Sequence, residues 1–288
     1  MFKLLYKQVN ESSFQCIKKY QKKHLIKKIG HTGTLDPLAC GLLLIATDED
    51  TKLIPFLKNH DKKYYVKLEL GKTSLTYDAE GPITITNPNL VPLESEIKTC
   101  LNGFVGKLEQ MPPAFSAKKI NGKRAYDLAR KNQAFELKPQ IIEIKLIENI
   151  KYKYPFVEFE TLVSNGTYIR SLVHEIGQRL KTGAYLFYLE RTMVNGLEFI
   201  PDQINLNPEF NLVEYEISLD NLKKLYYGQK SILGKLSDEN YLLIFQKKQV
   251  GILIVENNEI KKINLFGNKI KRILNDYLDD IKQNLSVK

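Results

Sequence analysis

Residues 30–41 hold one acidic side chain in a loop that is rich in glycine and proline. Glycine at position 33 allows a close approach of the backbone, while Pro37 fixes its own φ and biases Asp36 away from helix. An aspartate held in this way is presented to solution, and an ionised carboxylate can attack an electrophilic carbon. The same pattern also fits an Asx turn or a helix cap, so the loop alone leaves both interpretations open.

Other catalytic chemistries have weaker support. The cysteines (Cys16, Cys40 and Cys100) are odd in number and far apart, and the four histidines include no HExxH pair, so neither a disulfide framework nor a zinc site is predicted. Phosphotransferases with an aspartyl-phosphate intermediate place the aspartate before a TGT sequence, whereas here Asp36 follows it. The chain contains no P-loop and no dinucleotide fingerprint.

The charge balance points to a polyanionic partner. The chain has 288 residues, with 43 Lys and Arg against 33 Asp and Glu, which gives a net charge of +10. Nucleic acid or an acidic membrane surface would suit this excess, although compositional drift also explains it. The sequence begins without the apolar core of a signal peptide and contains no apolar run long enough for a membrane span. We therefore expect a soluble, cytoplasmic protein.

Periodic segments flank the loop. An apolar strand over residues 42–45 and a helix over residues 48–57 follow it. Residues 62–70 alternate with Tyr64 on the apolar face, where a half-buried strand aromatic is the simplest interpretation. A strongly amphipathic helix over residues 168–180 carries Arg170, which on its own could be a solvated surface charge.

The remaining patterns predict an α+β chain. Residues 1–30 are basic and poorly patterned, residues 110–123 are rich in proline, lysine and glycine, and residues 198–210 resemble a linker. We expect a domain over residues 1–208 and a small β-rich domain over residues 209–288. The other predicted elements are helices at 95–104, 125–131 and 270–281 and strands at 141–147, 156–163, 241–245, 251–255 and 260–265.

The loop also carries a specific family resemblance. Residues 30–43, GHTGTLDPLACGLL, resemble the GHTGTLDPLATGLL signature of TruB pseudouridine synthases, with Cys40 in place of threonine. Four further segments resemble family elements in the same order: DKKY at 61–64, QMPPAFSAKK at 110–119, GTYIRSL at 166–172 and GAYLFYLER at 183–191. The resemblance covers residues 30–195, and a likeness of the C-terminal part to the family's PUA-like module is fainter.

The resemblance implies a fold and an activity. The fold would be the pseudouridine synthase fold, a mixed and largely antiparallel central sheet flanked by helices, with an RNA-gripping insertion at about residues 110–135 and a small PUA-like C-terminal domain. The activity would be isomerisation of uridine 55 in the TΨC loop of tRNA to pseudouridine. It would need neither a cofactor nor a metal, and the protein would act on tRNA as a monomer without an obligate protein partner.

Roles for three residues follow from the resemblance. Asp36 would be the nucleophile, attacking either C6 of the base or C1′ of the sugar. Arg170 would pair with this carboxylate, orient it and favour its charged form. Tyr64 would stack on the extruded base and assist removal of a proton.

Substrate-binding residues are implied in the same way. His31 would fill the space that the extruded base vacates, Leu189 would line the base pocket, and Lys52 matches a family lysine. Phosphate contacts would come from the basic residues Lys118, Lys119, Lys123 and Arg124. A loop histidine, a core leucine and a solvated lysine cluster are the plainer interpretations.

The chain also departs from the family pattern. Glu190 stands where the family has an arginine, the N-terminal DKPxGxTS element is reduced to residues 6–13, and the last helix has no family counterpart. These departures bear on the grip on RNA more than on the chemistry. The rival functions are a non-catalytic tRNA-binding or folding protein on the same scaffold and a guide-dependent enzyme that acts on other RNA.

Overall fold

The structure is a computed structural model. It describes residues 1–87, 89–116, 118–120, 122–131, 133–199, 206, 208–229, 233 and 236–286, without the side chains at 119, 120, 123, 124 and 278–286. Two compact units are present: residues 1–46 with 59–208, and residues 47–58 with 209–288. Within the described part, no helix is long and apolar enough to cross a membrane.

The larger unit is a mixed α/β structure. Its helices are α1 (Ser13–Lys23), α2 (Glu94–Asn102), α3 (Ala125–Arg130) and α4 (Ile169–Arg179). Its strands are β1 (Phe2–Lys7), β2 (Ile29–His31), β3 (Cys40–Thr47), β4 (Lys62–Leu70), β5 (Lys72–Ser74), β6 (Ile83–Ile85), β7 (Gly106–Gln110), β8 (Lys119–Ile120), β9 (Lys123–Arg124), β10 (Gln140–Lys153), β11 (Phe156–Val163), β12 (Ala184–Val194) and β13 (Leu197–Glu198).

One sheet organises this unit, with the strand order β1-β3-β12-β4-β11-β10-β7. Strands β3 and β12 run parallel, and the other pairs along this path are antiparallel. The order brings β3, which follows the predicted catalytic loop, next to β12, which lies far away in the sequence. The mixed, largely antiparallel sheet that was predicted is confirmed.

Strand β4, at the centre of the sheet, has one buried apolar face and one charged face. This is the structural basis of the alternation that predicted the strand. Tyr64, Val66 and Leu68 are buried in the main core, whereas Lys63 and Lys67 on the other face pair with glutamates of β10 and β11. Helices α2 and α4 contribute the apolar residues Ile97, Leu101, Leu172, Val173 and Ile176 to the same core. Burial of apolar area on one face therefore fixes the register of the strand.

The N-terminal region corrects the prediction that residues 1–30 are poorly patterned. Strand β1 pairs with β3 over its whole length, and α1 begins at a capping box in which Ser12 and Gln15 satisfy each other's backbone N–H groups. The many lysines obscured this helix because Cys16 and Ile17 alone carry its buried apolar face.

The smaller unit is β-rich, as predicted. Its sheet has the order β14 (Val213–Glu216), β15 (Asn240–Phe245), β16 (Lys248–Glu256) and β17 (Glu259–Leu265), and its helices are α5 (Leu219–Tyr226) and α6 (Gly267–Ser286). The predicted boundary after residue 208 coincides with the division between the units, but residues 47–58 belong to the smaller unit. Most of this segment is a 3₁₀ helix, Asp48–Phe56. Its Glu49 accepts hydrogen bonds from the backbone N–H groups of Asn268 and Lys269 at the start of α6.

Candidate active site

The loop around Asp36 is held by the first residue of α1 and by the turn that precedes this helix. The hydroxyl of Ser13 accepts a hydrogen bond from the N–H of Leu35 at 2.8 Å and lies 2.9 Å from its carbonyl oxygen. The carbonyl of Pro37 accepts a hydrogen bond from the N–H of Asn10 at 2.8 Å. Between these anchors, the side chain of Asp36 is 41% exposed. The carboxylate is therefore presented to a ligand from a fixed backbone.

Arg170 lies near the start of α4 and meets that carboxylate. Its Nε atom is 2.9 Å from Oδ2 of Asp36, although the arginine side chain is only 6% exposed. Its Nη1 and Nη2 atoms donate hydrogen bonds to the carbonyls of Thr76 and Phe115 at 3.1 and 3.0 Å. The two carbonyls thus orient the guanidinium, and its contact with Asp36 is an ion pair in which the Nε–H makes no hydrogen bond.

Asp78 is a second acidic partner of Arg170 that the sequence analysis missed. Its side chain is 1% exposed, and its Oδ2 atom lies 3.4 Å from Nη1 of the arginine. Its Oδ1 atom accepts hydrogen bonds from the hydroxyl of Thr76 and the N–H of Glu80. Burial, together with repulsion from Asp78 and Asp36, raises the pKa of Glu80. Arg170 therefore pairs with two carboxylates, the buried one of Asp78 and the partly exposed one of Asp36.

A cavity of about 340 Å³ opens at this ion pair. Tyr64 from β4 and Leu189 from β12 line it, and both side chains are largely buried. Lys118 also lines it, and the remaining lining residues are Gly33, Thr34, Leu35, Asp36, Lys62, Asn165, Gly166, Thr167, Tyr168, Ile169, Arg170 and Arg191. The structure therefore brings together Asp36, Tyr64, Arg170, Leu189 and Lys118, which were predicted from distant parts of the sequence.

Arg191 of β12 donates hydrogen bonds to the backbone on both sides of the loop. Its Nε atom donates to the carbonyl of Leu42 at 2.6 Å, and its Nη2 atom donates to the carbonyl of Gly33 at 3.1 Å. A side chain at Gly41 would be impossible here, because its Cβ would lie 2.3 Å from the carbonyl oxygen of Arg191 and its φ is +108°. Sheet pairing at this point depends on that glycine.

Lys62 is the third buried cation of the cavity, after Arg170 and Arg191. Its ammonium group donates hydrogen bonds to the carbonyl of His60 and to Oδ1 of Asn165, both at 2.9 Å. Burial, reinforced by the charge of Arg191, lowers the pKa of Lys62 to about 8. Lys62 and Arg191 were not predicted as site residues, although both lie within segments that carry the family resemblance.

Residues 21–169 match the family described as TruB family pseudouridylate synthase (N terminal domain). The chain belongs to this family. A relative from Mycoplasma mobile named tRNA pseudouridine synthase B is 43% identical over 96% of this chain and 98% of its own. The protein of the same name from Mycoplasmopsis pulmonis is 41% identical over 95% of this chain and 98% of its own.

Solved structures show the same fold at lower identity. Cbf5 from a Cbf5-Nop10-Gar1 complex superposes with a TM-score of 0.63 at 20% identity, covering 93% of this chain and 85% of its own. A chain from an archaeal box H/ACA sRNP Nop10-Cbf5 complex gives a TM-score of 0.61 at 18% identity, covering 92% and 85%. The predicted pseudouridine synthase fold is confirmed.

Two departures from the TruB pattern lie opposite each other in the sheet. Cys40 and Glu190 are paired residues of β3 and β12. The hydroxyl of Tyr6 donates to one carboxylate oxygen of Glu190 at 2.8 Å, and that of Tyr188 donates to the other at 3.1 Å. The cysteine Sγ lies 3.1 Å from the Tyr188 hydroxyl. Leu189 and Arg191 line the cavity, whereas Glu190, which lies between them in β12, does not. The carboxylate of Glu190 belongs instead to a local hydrogen-bond network with Tyr6, Tyr188 and Cys40.

The other predicted TruB substrate-binding residues are placed differently. His31 lies in β2 and is not part of the cavity lining, and its pKa is lowered, chiefly by burial. Lys52 belongs to the smaller unit, where its ammonium group donates to the carbonyl of Leu265 at 2.9 Å. The backbones of Lys119 and Arg124 pair in the short β8–β9 hairpin, which also contains Lys123. Those three side chains lie outside the described part of the structure.

Proposed function

We propose that this protein isomerises uridine 55 in the TΨC loop of tRNA to pseudouridine, with Asp36 as the nucleophile. The observation that carries the proposal is the partly exposed carboxylate of Asp36, held by the buried guanidinium of Arg170 at the edge of a cavity. The names of the relatives, tRNA pseudouridine synthase B, support tRNA as the substrate class.

The chemistry is an internal rearrangement. The bond between N1 of uracil and C1′ of the ribose breaks, the base turns within the cavity, and a bond forms between C5 and C1′. C5 then loses its proton and N1 gains one, so atoms and electrons balance without a redox partner. Asp36 would form an ester either with C6, which holds the base, or with C1′, which holds the ribose, and in both routes this ester breaks again so that the carboxylate is restored.

Two groups would contact the extruded base, and a third would fill the gap that it leaves. Extrusion costs roughly a few kcal/mol, which contacts inside the cavity must offset. The ring of Tyr64 would stack on the uracil, and its hydroxyl would take part in removing the C5 proton. Leu189 would contact the base from the neighbouring strand. His31 would enter the gap that the base leaves in the RNA.

The grip on the rest of the tRNA would be electrostatic. The chain carries a net charge of +10, and Lys118 at the cavity adjoins the basic hairpin with Lys119, Lys123 and Arg124. Phosphate contacts of this kind fix the register of an RNA without reading its bases. Lys52 would act differently, by joining the 3₁₀ helix to β17 of the smaller unit.

The direct test is chemical mapping of pseudouridine in an unmodified tRNA transcript after incubation with the purified protein alone. We expect one modified position, uridine 55, and no product from a matched transcript with cytidine there. Because no other component is added, product formation would also show that neither a guide RNA nor a protein partner is required. An unmodified tRNA would refute the proposal, and modification elsewhere would refute the assigned site.

A further inference from the structure

Two buried cations in the cavity lack a matching anion. The side chain of Arg191 is 1% exposed, and its Nη1 atom is buried without a hydrogen-bond partner. Lys62, which is nearly as buried, uses two of its three N–H groups on neutral oxygens, those of His60 and Asn165. Buried cations normally have a counter-charge, so the pair points to a ligand that supplies one.

The nearby carboxylates are engaged elsewhere. Asp61, which precedes Lys62 in the chain, pairs with Lys145 at 2.6 Å. Asp36 pairs with Arg170. Among the residues that the structure describes, no carboxylate lies within ion-pairing distance of Lys62 or Arg191. The counter-charge is therefore missing from the protein itself.

Gly33 lies against both cations. A Cβ atom at this position would lie 3.3 Å from Cε of Lys62 and 3.6 Å from Nη1 of Arg191. The φ of Gly33 is outside the left-handed region, so the backbone does not itself require glycine. A side chain here would instead crowd the two cations, and the end of the Lys62 side chain would have to shift.

We infer that Lys62 and Arg191 form a binding site for one backbone phosphate of the RNA, next to the nucleotide whose base enters the cavity. The inference rests on the proposed function, since it assumes an RNA substrate. A phosphate suits the site because a planar guanidinium and a compact ammonium group together donate several charge-assisted hydrogen bonds to its oxygens. Both cations line the same cavity as Asp36, which places the phosphate within one nucleotide of the reacting base.

The site is also tied to the catalytic loop. Arg191 donates to the carbonyls of Gly33 and Leu42, which flank Asp36 in the sequence. A phosphate bound to Nη1 would therefore dock against the guanidinium that fixes this loop. Phosphate recognition would then orient the ribose relative to the nucleophile, a role that general electrostatic attraction cannot fill.

The test uses TΨC stem-loop RNAs with a single uncharged methylphosphonate, placed either 5′ or 3′ of the target uridine. We expect one of these two substitutions to weaken binding to the wild-type protein about tenfold or more, since a charge-assisted contact is lost. A Lys62→Met variant should bind the all-phosphate RNA about tenfold more weakly and lose little further affinity with that methylphosphonate. A purely structural role for Lys62 would not produce this coupling.

A matched control lies next to Lys62 in the chain. Lys63 is on the opposite face of β4 and pairs with Glu148 and Glu160. Lys63→Met removes the same charge and should respond to the methylphosphonate as the wild type does. A second variant, Gly33→Ala, places one methyl group against both cations and should weaken binding of the all-phosphate RNA while reducing the methylphosphonate effect.

The outcomes separate this inference from the proposed function. Wild-type protein that forms pseudouridine but binds both methylphosphonate RNAs as tightly as the natural one would overturn the phosphate site and leave the function standing. Equal methylphosphonate effects in the Lys62→Met and wild-type proteins would overturn it as well. Absence of pseudouridine with the natural RNA would instead refute the function.

Discussion

The buried guanidinium of Arg170 holds the exposed carboxylate of Asp36 with an Nε–Oδ2 distance of 2.9 Å. The arginine is itself fixed by two backbone carbonyls and by the carboxylate of Asp78. A carboxylate on a flexible loop would have to be ordered at each turnover, whereas Asp36, the proposed nucleophile, is placed before the substrate arrives. The arrangement also explains why a buried arginine is tolerated so close to the start of α4.

Removal of Arg170 should cost stability as well as activity. In the Arg170→Met variant, Asp78 would remain buried without its cation, and we expect a loss of about 3–5 kcal/mol in the free energy of unfolding. The double variant Arg170→Met/Asp78→Asn should regain much of that stability and stay inactive. Urea unfolding and single-turnover rates measure the two effects separately. Full activity in the double variant would show that the arginine serves stability alone.

Two substitutions at Tyr64 can separate stacking on the base from proton transfer. Tyr64→Phe keeps the ring and removes the hydroxyl, so tRNA affinity should change by less than about threefold, while the single-turnover rate should fall about 10²-fold or more if the hydroxyl assists proton removal. Tyr64→Leu should weaken binding too, because a stacking platform for the base is lost. A Tyr64→Phe protein as fast as the wild type would assign the residue to stacking alone.

The sequence predicted those parts of the site that local patterns encode. The alternation of residues 62–70 matches β4, and the amphipathic stripe matches α4 within one residue at each end. Asp36, Tyr64 and Arg170 could be predicted as site residues because they stand in long, specific motifs. The burial of Lys62 and Arg191 could not be found in this way, because it arises from the strand order β3-β12-β4, which no local pattern reveals.

Asp78 shows a second limit. It follows the short strand β5 and has no periodic context, yet it is among the most buried carboxylates of the chain. Its buried position depends on the ion pair with Arg170, which lies far away in the sequence. The 3₁₀ helix of residues 48–56 is a similar case, since its assignment to the smaller unit depends on contacts with α6 and β17 that form only in the folded chain.

The titration of Lys62 predicts a pH dependence of tRNA binding. Its pKa of about 8 lies below the ordinary value for lysine, because burial and Arg191 outweigh the opposing effect of Asp61. The free protein therefore carries this charge below pH 8 and loses it above, while a bound phosphate favours the charged form. We expect the dissociation constant of the wild type to rise about tenfold between pH 7 and pH 9. The Lys62→Met protein should show no such rise. An equal rise in the wild-type and Lys62→Met proteins would mean that another titrating group causes the effect.

The most direct test of the catalytic claim is the Asp36→Asn variant, which keeps the size of the side chain and removes its charge. Single-turnover formation of pseudouridine and the dissociation constant for unmodified tRNA would be measured on the same preparations. We predict that the rate falls at least about 10³-fold while the dissociation constant stays within about threefold of the wild type. Pseudouridine formation at a rate near that of the wild type would contradict the assignment of Asp36 as the nucleophile.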